Sequence, residues 1–136
     1  MAKKTKILLV DNDVDFVNLN KAVLENNGFE VATAFSAKEG LDRLRLEMPD
    51  LVVLDLMMEK HDSGFSFSRS AKADPVFKRI PILMLTAVGQ TTGTEFSQNL
   101  DGYWMRTDDY ASKPIMPDEL LKRIRGLLER ARQEGE

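Results

Sequence analysis

Apolar residues along this chain fall into two patterns. Ile7-Leu8-Leu9-Val10, Leu51-Val52-Val53-Leu54 and Ile80-Pro81-Ile82-Leu83-Met84-Leu85 are short runs without polar alternation, the pattern of strands covered on both faces. Between them, apolar positions recur at helical spacing. Phe16, Leu19 and Val23 form one stripe, with Val17 and Leu24 beside it, and Asn27-Gly28 supplies a stop. A strand is predicted from about Phe29 to Thr33. Ser36-Ala37-Lys38-Glu39 has capping-box spacing, and the Leu41, Leu44 and Met48 stripe then runs until Pro49. A third helix is predicted from about Gly64 to Ala73, ahead of Asp74-Pro75. The last begins at Pro117, with Leu120, Leu121, Ile124, Leu127 and Leu128 facing inward.

Strands alternating with helices make the fold class α/β, with a parallel sheet built from right-handed crossovers. The alternation weakens over Val88 to Thr107, which holds Gly89, Gly93 and Gly102 and no sustained apolar stripe. The fourth helix, expected between strands four and five, is therefore read as short, displaced or absent.

Composition narrows the function classes. The 136 residues fit a single domain, with a core over about 5–130 and a tail or the start of a linker over 131–136. There is no cysteine, which excludes disulfides, thiolate nucleophiles and cysteine metal sites, and His61 is the only histidine. A net charge of −3 gives no basic field for nucleic acid or an anionic membrane. The apolar run after the basic start stops at Val10, too short for a signal or a membrane span, so a cytoplasmic protein is expected. No output domain follows the last helix in this reading.

In an open parallel sheet, ligands sit at the carboxyl ends of the strands. Strand one ends in Asp11-Asn12-Asp13, strand three in Asp55 and strand four in Thr86-Ala87. A fifth strand, around Tyr110 to Ser112, ends in Lys113-Pro114. Carboxylates, a hydroxyl and an ammonium converging on one edge suit a hard cation beside a phosphoryl group. With these residues in this order, Leu8-Leu9-Val10-Asp11, Val53-Leu54-Asp55-Leu56-Met57-Met58, Met84-Leu85-Thr86-Ala87 and Lys113-Pro114, the chain resembles the response-regulator receiver family of two-component signalling.

The resemblance implies a single doubly wound, flavodoxin-like sheet of five parallel strands in the order 2-1-3-4-5, with helices on both faces. It implies that Asp55 takes a phosphoryl group from a sensor histidine kinase or phosphotransfer protein, giving an acyl phosphate. Asp11, Asp55 and the backbone carbonyl of Met57 would hold Mg²⁺, with Asn12 as a further candidate ligand. Lys113 and Thr86 would hold the phosphoryl oxygens, joined by backbone N–H groups at Met57 and Ala87. Thr86 and Tyr110 would form the switch that reports phosphorylation. Such a domain is a regulatory phosphoacceptor that catalyses its own phosphotransfer and slow autodephosphorylation, and not an enzyme acting on other substrates. Neither a downstream protein partner nor an oligomeric state is specified.

Two departures qualify this. Asn12 stands where the family usually has a second acid, which removes a negative charge from the cation site and should weaken Mg²⁺ binding. The altered Val88 to Thr107 stretch lies where the family's output face is built. Together they motivate the alternative of a pseudo-receiver that binds partners without phosphorylation. A small phosphohydrolase is a third class, but Met57 occupies the position where such enzymes carry a second Asp as general acid. Among the other residues, Asp13 and Asp15 read as first-turn acids favoured by the helix dipole. Phe65, Phe67 and Phe77 read as core, and His61 as a solvated loop residue. A cis Lys113-Pro114 bond is compatible with the family pattern. Met57 and Val88, each two residues beyond a site residue, offer no group to orient an attacking water, so a long-lived phosphorylated form is expected.

Overall fold

The computed structural model describes residues 4–55, 63–86 and 109–135. Five parallel strands, β1 (Lys6–Val10), β2 (Glu30–Ala34), β3 (Leu51–Asp55), β4 (Ile82–Thr86) and β5 (Asp109–Ser112), form one sheet in the order β2-β1-β3-β4-β5. The described helices are α1 (Val14–Asn26), α2 (Ala37–Glu47), α3 (Ser63–Ala73) and α4 (Pro117–Gly135). A fourth helix is thus present at the C-terminal end. The helix expected between strands four and five falls at 87–108, outside the described residues.

The apolar runs are strands because both faces of the sheet are covered. Alternate residues feed two cores. Leu8, Val10, Val52, Leu54, Ile82 and Met84 pack with Leu44 of α2 and Phe67 and Ala71 of α3. Ile7, Leu9, Val53, Leu83 and Leu85 pack on the other face with Val17 and Leu24 of α1 and Leu120, Ile124 and Leu127 of α4. Phe67 and Phe77 are core residues, as expected; the Phe65 side chain and His61 lie outside the described residues.

Several boundaries differ from the sequence reading. Strand four begins at Ile82 and not Ile80, because Ile80 N–H donates to Phe77 O (3.0 Å) and Lys72 Nζ donates to Ile80 O (2.8 Å), closing a turn ahead of Pro81. Leu19 does not face the core: it is 57% exposed, and Asn20 lies buried on the inward face of α1 in its place. The Asn20 Nδ2 donates to Phe16 O at 2.9 Å, while its Oδ1 is buried without a hydrogen-bond partner among the described residues. Met48 also leaves the core stripe. It caps α2 in a left-handed conformation (φ 47°) and is half exposed. The capping box holds in part: Ser36 Oγ accepts from Glu39 N–H (3.1 Å), while Glu39 Oε1 accepts from Phe35 N–H (2.9 Å), one residue before the cap.

At the opposite end of the sheet from the strand termini, Lys6 joins three elements. Its ammonium contacts Glu47 Oε1 (2.9 Å) and Glu30 Oε2 (3.4 Å), and its backbone N–H donates to Asp50 Oδ2 (2.8 Å). The hydrogen bond from Lys6 lowers the Glu47 pKa below its ordinary 4.5, and the Glu47 bond raises that of Lys6. A lowered acid pKa stabilises the fold above the ordinary value and loses that contribution as pH falls through the folded-state value. Stability should therefore decline below about pH 4.5, and Glu47→Gln should flatten that limb; urea titrations at successive pH values measure it. An unchanged acid limb in Glu47→Gln would contradict the assignment.

Gly40 and Gly126, both within helices, make opposite predictions. A Cβ on Gly40 would stand 2.9 Å from both Phe67 Cε2 and Val10 Cγ1, whose side chains are fully buried, whereas a Cβ on Gly126 meets no atom of the described residues within 4 Å. Overpacking costs about 1–3 kcal/mol, against a helix-propensity gain of up to about 1 kcal/mol. Gly40→Ala should lower the urea midpoint and Gly126→Ala should raise it, the latter by about 0.4–1 kcal/mol of stability.

Candidate functional site

The strand order places two acids side by side. Val10 pairs with Leu54, so Asp11, the next residue of one strand, comes level with Asp55 at the end of its neighbour. Asp11 N–H still donates to Ala34 O (3.1 Å), which carries the β1–β2 ladder one residue further and fixes the Asp11 backbone. The crossovers that leave β1 and β3 run in opposite directions, toward β2 and β4, and at such a place open parallel sheets leave a crevice. Both acids are nearly buried, Asp11 at 2% exposure and Asp55 at 6%.

Two neighbouring carboxylates with little access to water require a counter-charge. Lys113, just beyond β5, supplies it by reaching back across the strand ends. Its Nζ lies 2.7 Å from Asp11 Oδ2 and 3.8 Å from Asp55 Oδ2. The contact with Asp11 is an ion pair and not an aligned hydrogen bond, since among the described residues the same Oδ2 has no hydrogen-bond partner of good geometry. The other oxygen, Asp11 Oδ1, accepts from Asp13 N–H at 2.9 Å. The Lys113–Pro114 peptide is cis.

Asp13 is the N-cap of α1, its carboxylate accepting from Phe16 N–H at 3.2 Å, and Asp15 lies in the first turn. Both are therefore helix-start acids, as the sequence suggested. Asn12 is exposed in the turn between them and β1. Among the described residues, no group of three or more His, Cys, Asp or Glu could hold a metal ion. A cation held here by protein groups would need oxygen donors in addition to Asp11 and Asp55. Thr86 ends β4, paired with Ser112, and Tyr110 pairs with Met84. Met57, Ala87, Val88 and Trp104 lie outside the described residues.

The sequence did not reveal the surroundings of Lys113. The Phe16 ring stands 4.7 Å from Lys113 Nζ. A groove of about 470 Å³, lined in part by Phe16, Leu19, Asn20, Lys113 and Ile115, opens beside it. Periodicity assigned Phe16 and Leu19 to the core stripe, and no local pattern pairs residue 16 with residue 113.

The family model for the response regulator receiver domain matches residues 7–125, almost the whole chain. The chain belongs to the response regulator receiver domain family. Receiver domains of this family are regulatory phosphoacceptor domains of two-component signalling, and that is the role of this chain. It is 39% identical over 127 residues to the probable transcriptional regulator ycf27 of Cyanophora paradoxa, a match covering 93% of this chain and 49% of that protein. It is 37% identical over 131 residues to the response regulator Rre1 of Synechocystis, covering 96% of this chain and 54% of that protein. The chain thus spans about half the length of these relatives. The fold is similar to that of a CheY-like receiver domain protein from Methanospirillum hungatei, with a TM-score of 0.82, 26% identity, and coverage of 97% of this chain and 99% of that one. Among the described residues of this receiver domain, no helix is long and apolar enough to cross a membrane.

If Lys113 neutralises the two buried acids, its loss leaves them facing each other. Lys113→Met should destabilise the domain by about 1–3 kcal/mol at neutral pH, less than for a fully buried pair because the lysine is partly exposed. Lys21→Met, which removes an exposed pair with Glu25, should cost less than about 1 kcal/mol. Equal losses in the two variants, measured by urea unfolding, would contradict the role given to Lys113.

Proposed function

We propose that Asp55 is the phosphoacceptor and that Asp11, Lys113 and Thr86 form the machinery around it. The reading is carried by one observation: a single ammonium lies within 4 Å of the two nearly buried acids that end adjacent strands. An oxygen of Asp55 attacks phosphorus of a phosphohistidine on a sensor histidine kinase or phosphotransfer protein. The new O–P bond forms as the P–N bond breaks, and the electron pair of that bond leaves with the imidazole nitrogen. Lys113 faces the negative charge spread over the phosphoryl oxygens, and the Thr86 hydroxyl and the backbone N–H groups of Met57 and Ala87 donate to them. The transfer is catalysed by the domain itself, and the same pocket then releases phosphate slowly. Thr86 and Tyr110 pass the change on.

Receiver domains generally bind Mg²⁺ for phosphorylation. The residues here fit a hard cation, since Asp11 Oδ2 is buried without an aligned hydrogen bond among the described residues and Asp55 lies level with it. Asp11, Asp55 and the Met57 carbonyl would hold the ion, with Asn12 as a neutral fourth donor, and when bound the ion offsets charge on the phosphoryl oxygens. One charge fewer than the usual acid pair makes the binding weak. The pseudo-receiver alternative has less support, because Asp11, Asp55 and Lys113 are all present and in contact range. We read residues 1–136 as one cytoplasmic receiver domain that does not itself bind nucleic acid, on the strength of its −3 charge.

Incubation with acetyl phosphate and Mg²⁺, followed by intact-mass measurement, should show the gain of one phosphoryl group, lost on chelation and in Asp55→Asn. Asn12→Asp should speed the reaction at limiting Mg²⁺. A gain that persists in Asp55→Asn would overturn the assignment.

A further inference from the structure

Lys113 has a third neighbour besides the two acids. Phe16 lies in the first turn of α1, and its ring faces the ammonium at 4.7 Å from the centroid. The backbone beneath that ring is fixed from both sides. Phe16 N–H donates to Asp13 Oδ1 (3.2 Å), and Phe16 O accepts from the amide of buried Asn20 (2.9 Å). Asp13 N–H in turn donates to Asp11 Oδ1 (2.9 Å), while Asp11 Oδ2 pairs with Lys113 (2.7 Å). The contacts therefore close a circuit from Asp11 through Asp13, Phe16 and Lys113 back to Asp11. The ring itself is half-buried against the apolar core between the sheet and helices α1 and α4.

We infer that Phe16 is a positioning residue for Lys113, its aromatic face steering the ammonium toward the acyl-phosphate site. The inference rests on the phosphoacceptor reading of Asp55. A flexible lysine stem has many rotamers, and two acids attract it from one side only. The negative face of an aromatic ring attracts a cation from another side. Unlike a third carboxylate, it adds no net charge to repel an incoming phosphoryl group and leaves all three N–H donors of the ammonium for oxygen partners. An aliphatic residue of similar volume would fill the space without this attraction.

The test uses the full chain, acetyl phosphate as a small donor that needs no protein docking, and three forms: wild type, Phe16→Leu and Phe16→Tyr. Phe16→Leu should slow phosphorylation on the order of three- to tenfold, and Phe16→Tyr, which keeps the aromatic face, should recover most of the rate. Thermal melts show whether either variant has lost its fold. A spectroscopic readout accompanies the kinetics: the ε-methylene protons of Lys113 should be shifted upfield by the ring in wild type and Phe16→Tyr, and should return to the ordinary lysine position in Phe16→Leu. Equal rates in folded Phe16→Leu and wild type, or no ring-current shift at Lys113 in wild type, would overturn the positioning role. Failure of the wild type to take up any phosphoryl group would instead overturn the functional reading, and the ring-current shift would still decide the contact.

Discussion

Asp11 and Asp55 stand level at the ends of adjacent strands, where little water reaches either, and the ammonium of Lys113 lies 2.7 Å from an oxygen of the first and 3.8 Å from an oxygen of the second. At about 4 Å and an intermediate effective dielectric, each such pair of unit charges interacts by on the order of 4 kcal/mol before desolvation is counted. Attraction to the lysine thus offsets the repulsion between two neighbouring acids. The fold accepts this balance at a point where its crossovers open a crevice. A group carrying several negative oxygens can then enter only if cations face it, and this is the chemical character of the site.

The counter-charge comes from far along the sheet. β5 is separated from β1 by β3 and β4, so Lys113 must be held in place by what surrounds β5. Leu120, Ile124 and Leu127 of α4 pack into the same core as Val17 and Leu24 of α1, which joins the helix after Lys113 to the helix after Asp11. Leu120 N–H bonded to Met116 O (3.0 Å) starts α4 close behind the Lys113–Pro114 turn. The aromatic contact from α1 to Lys113 is the local expression of that packing. Core, caps and site charges therefore belong to one connected structure.

Much of this was legible in the residues. Strands β1, β3 and β4 were readable because double-sided burial turns them into unbroken apolar runs, and Asp11 and Asp55 because they follow those runs directly; Lys113 follows the mixed sequence of β5 and stood out through the family resemblance. Helix faces were less so. On α1 the stripe through Leu19 and the stripe through Val17 and Leu24 are nearly equivalent in hydrophobicity, and a buried Asn20 has no hydrophobic signature; its amide bond to Phe16 O satisfies only one end of the side chain and leaves no trace in the sequence. Met48 looked like core by spacing, but Pro49 forces the chain out of the helix and leaves Met48 at its cap. The contact of Phe16 with Lys113 joins residues far apart in sequence and leaves no local trace.

The most direct measurement of the central claim is the chemical location of the phosphoryl group. Borohydride reduction of the acyl phosphate formed with acetyl phosphate converts the modified aspartate to homoserine, which peptide mapping can place. Homoserine at position 55, and not at 11, 13 or 15, is the result this account requires. Homoserine at Asp11, or at an acid elsewhere in the chain, would show that the crevice between β1 and β3 does not direct the phosphoryl group to Asp55.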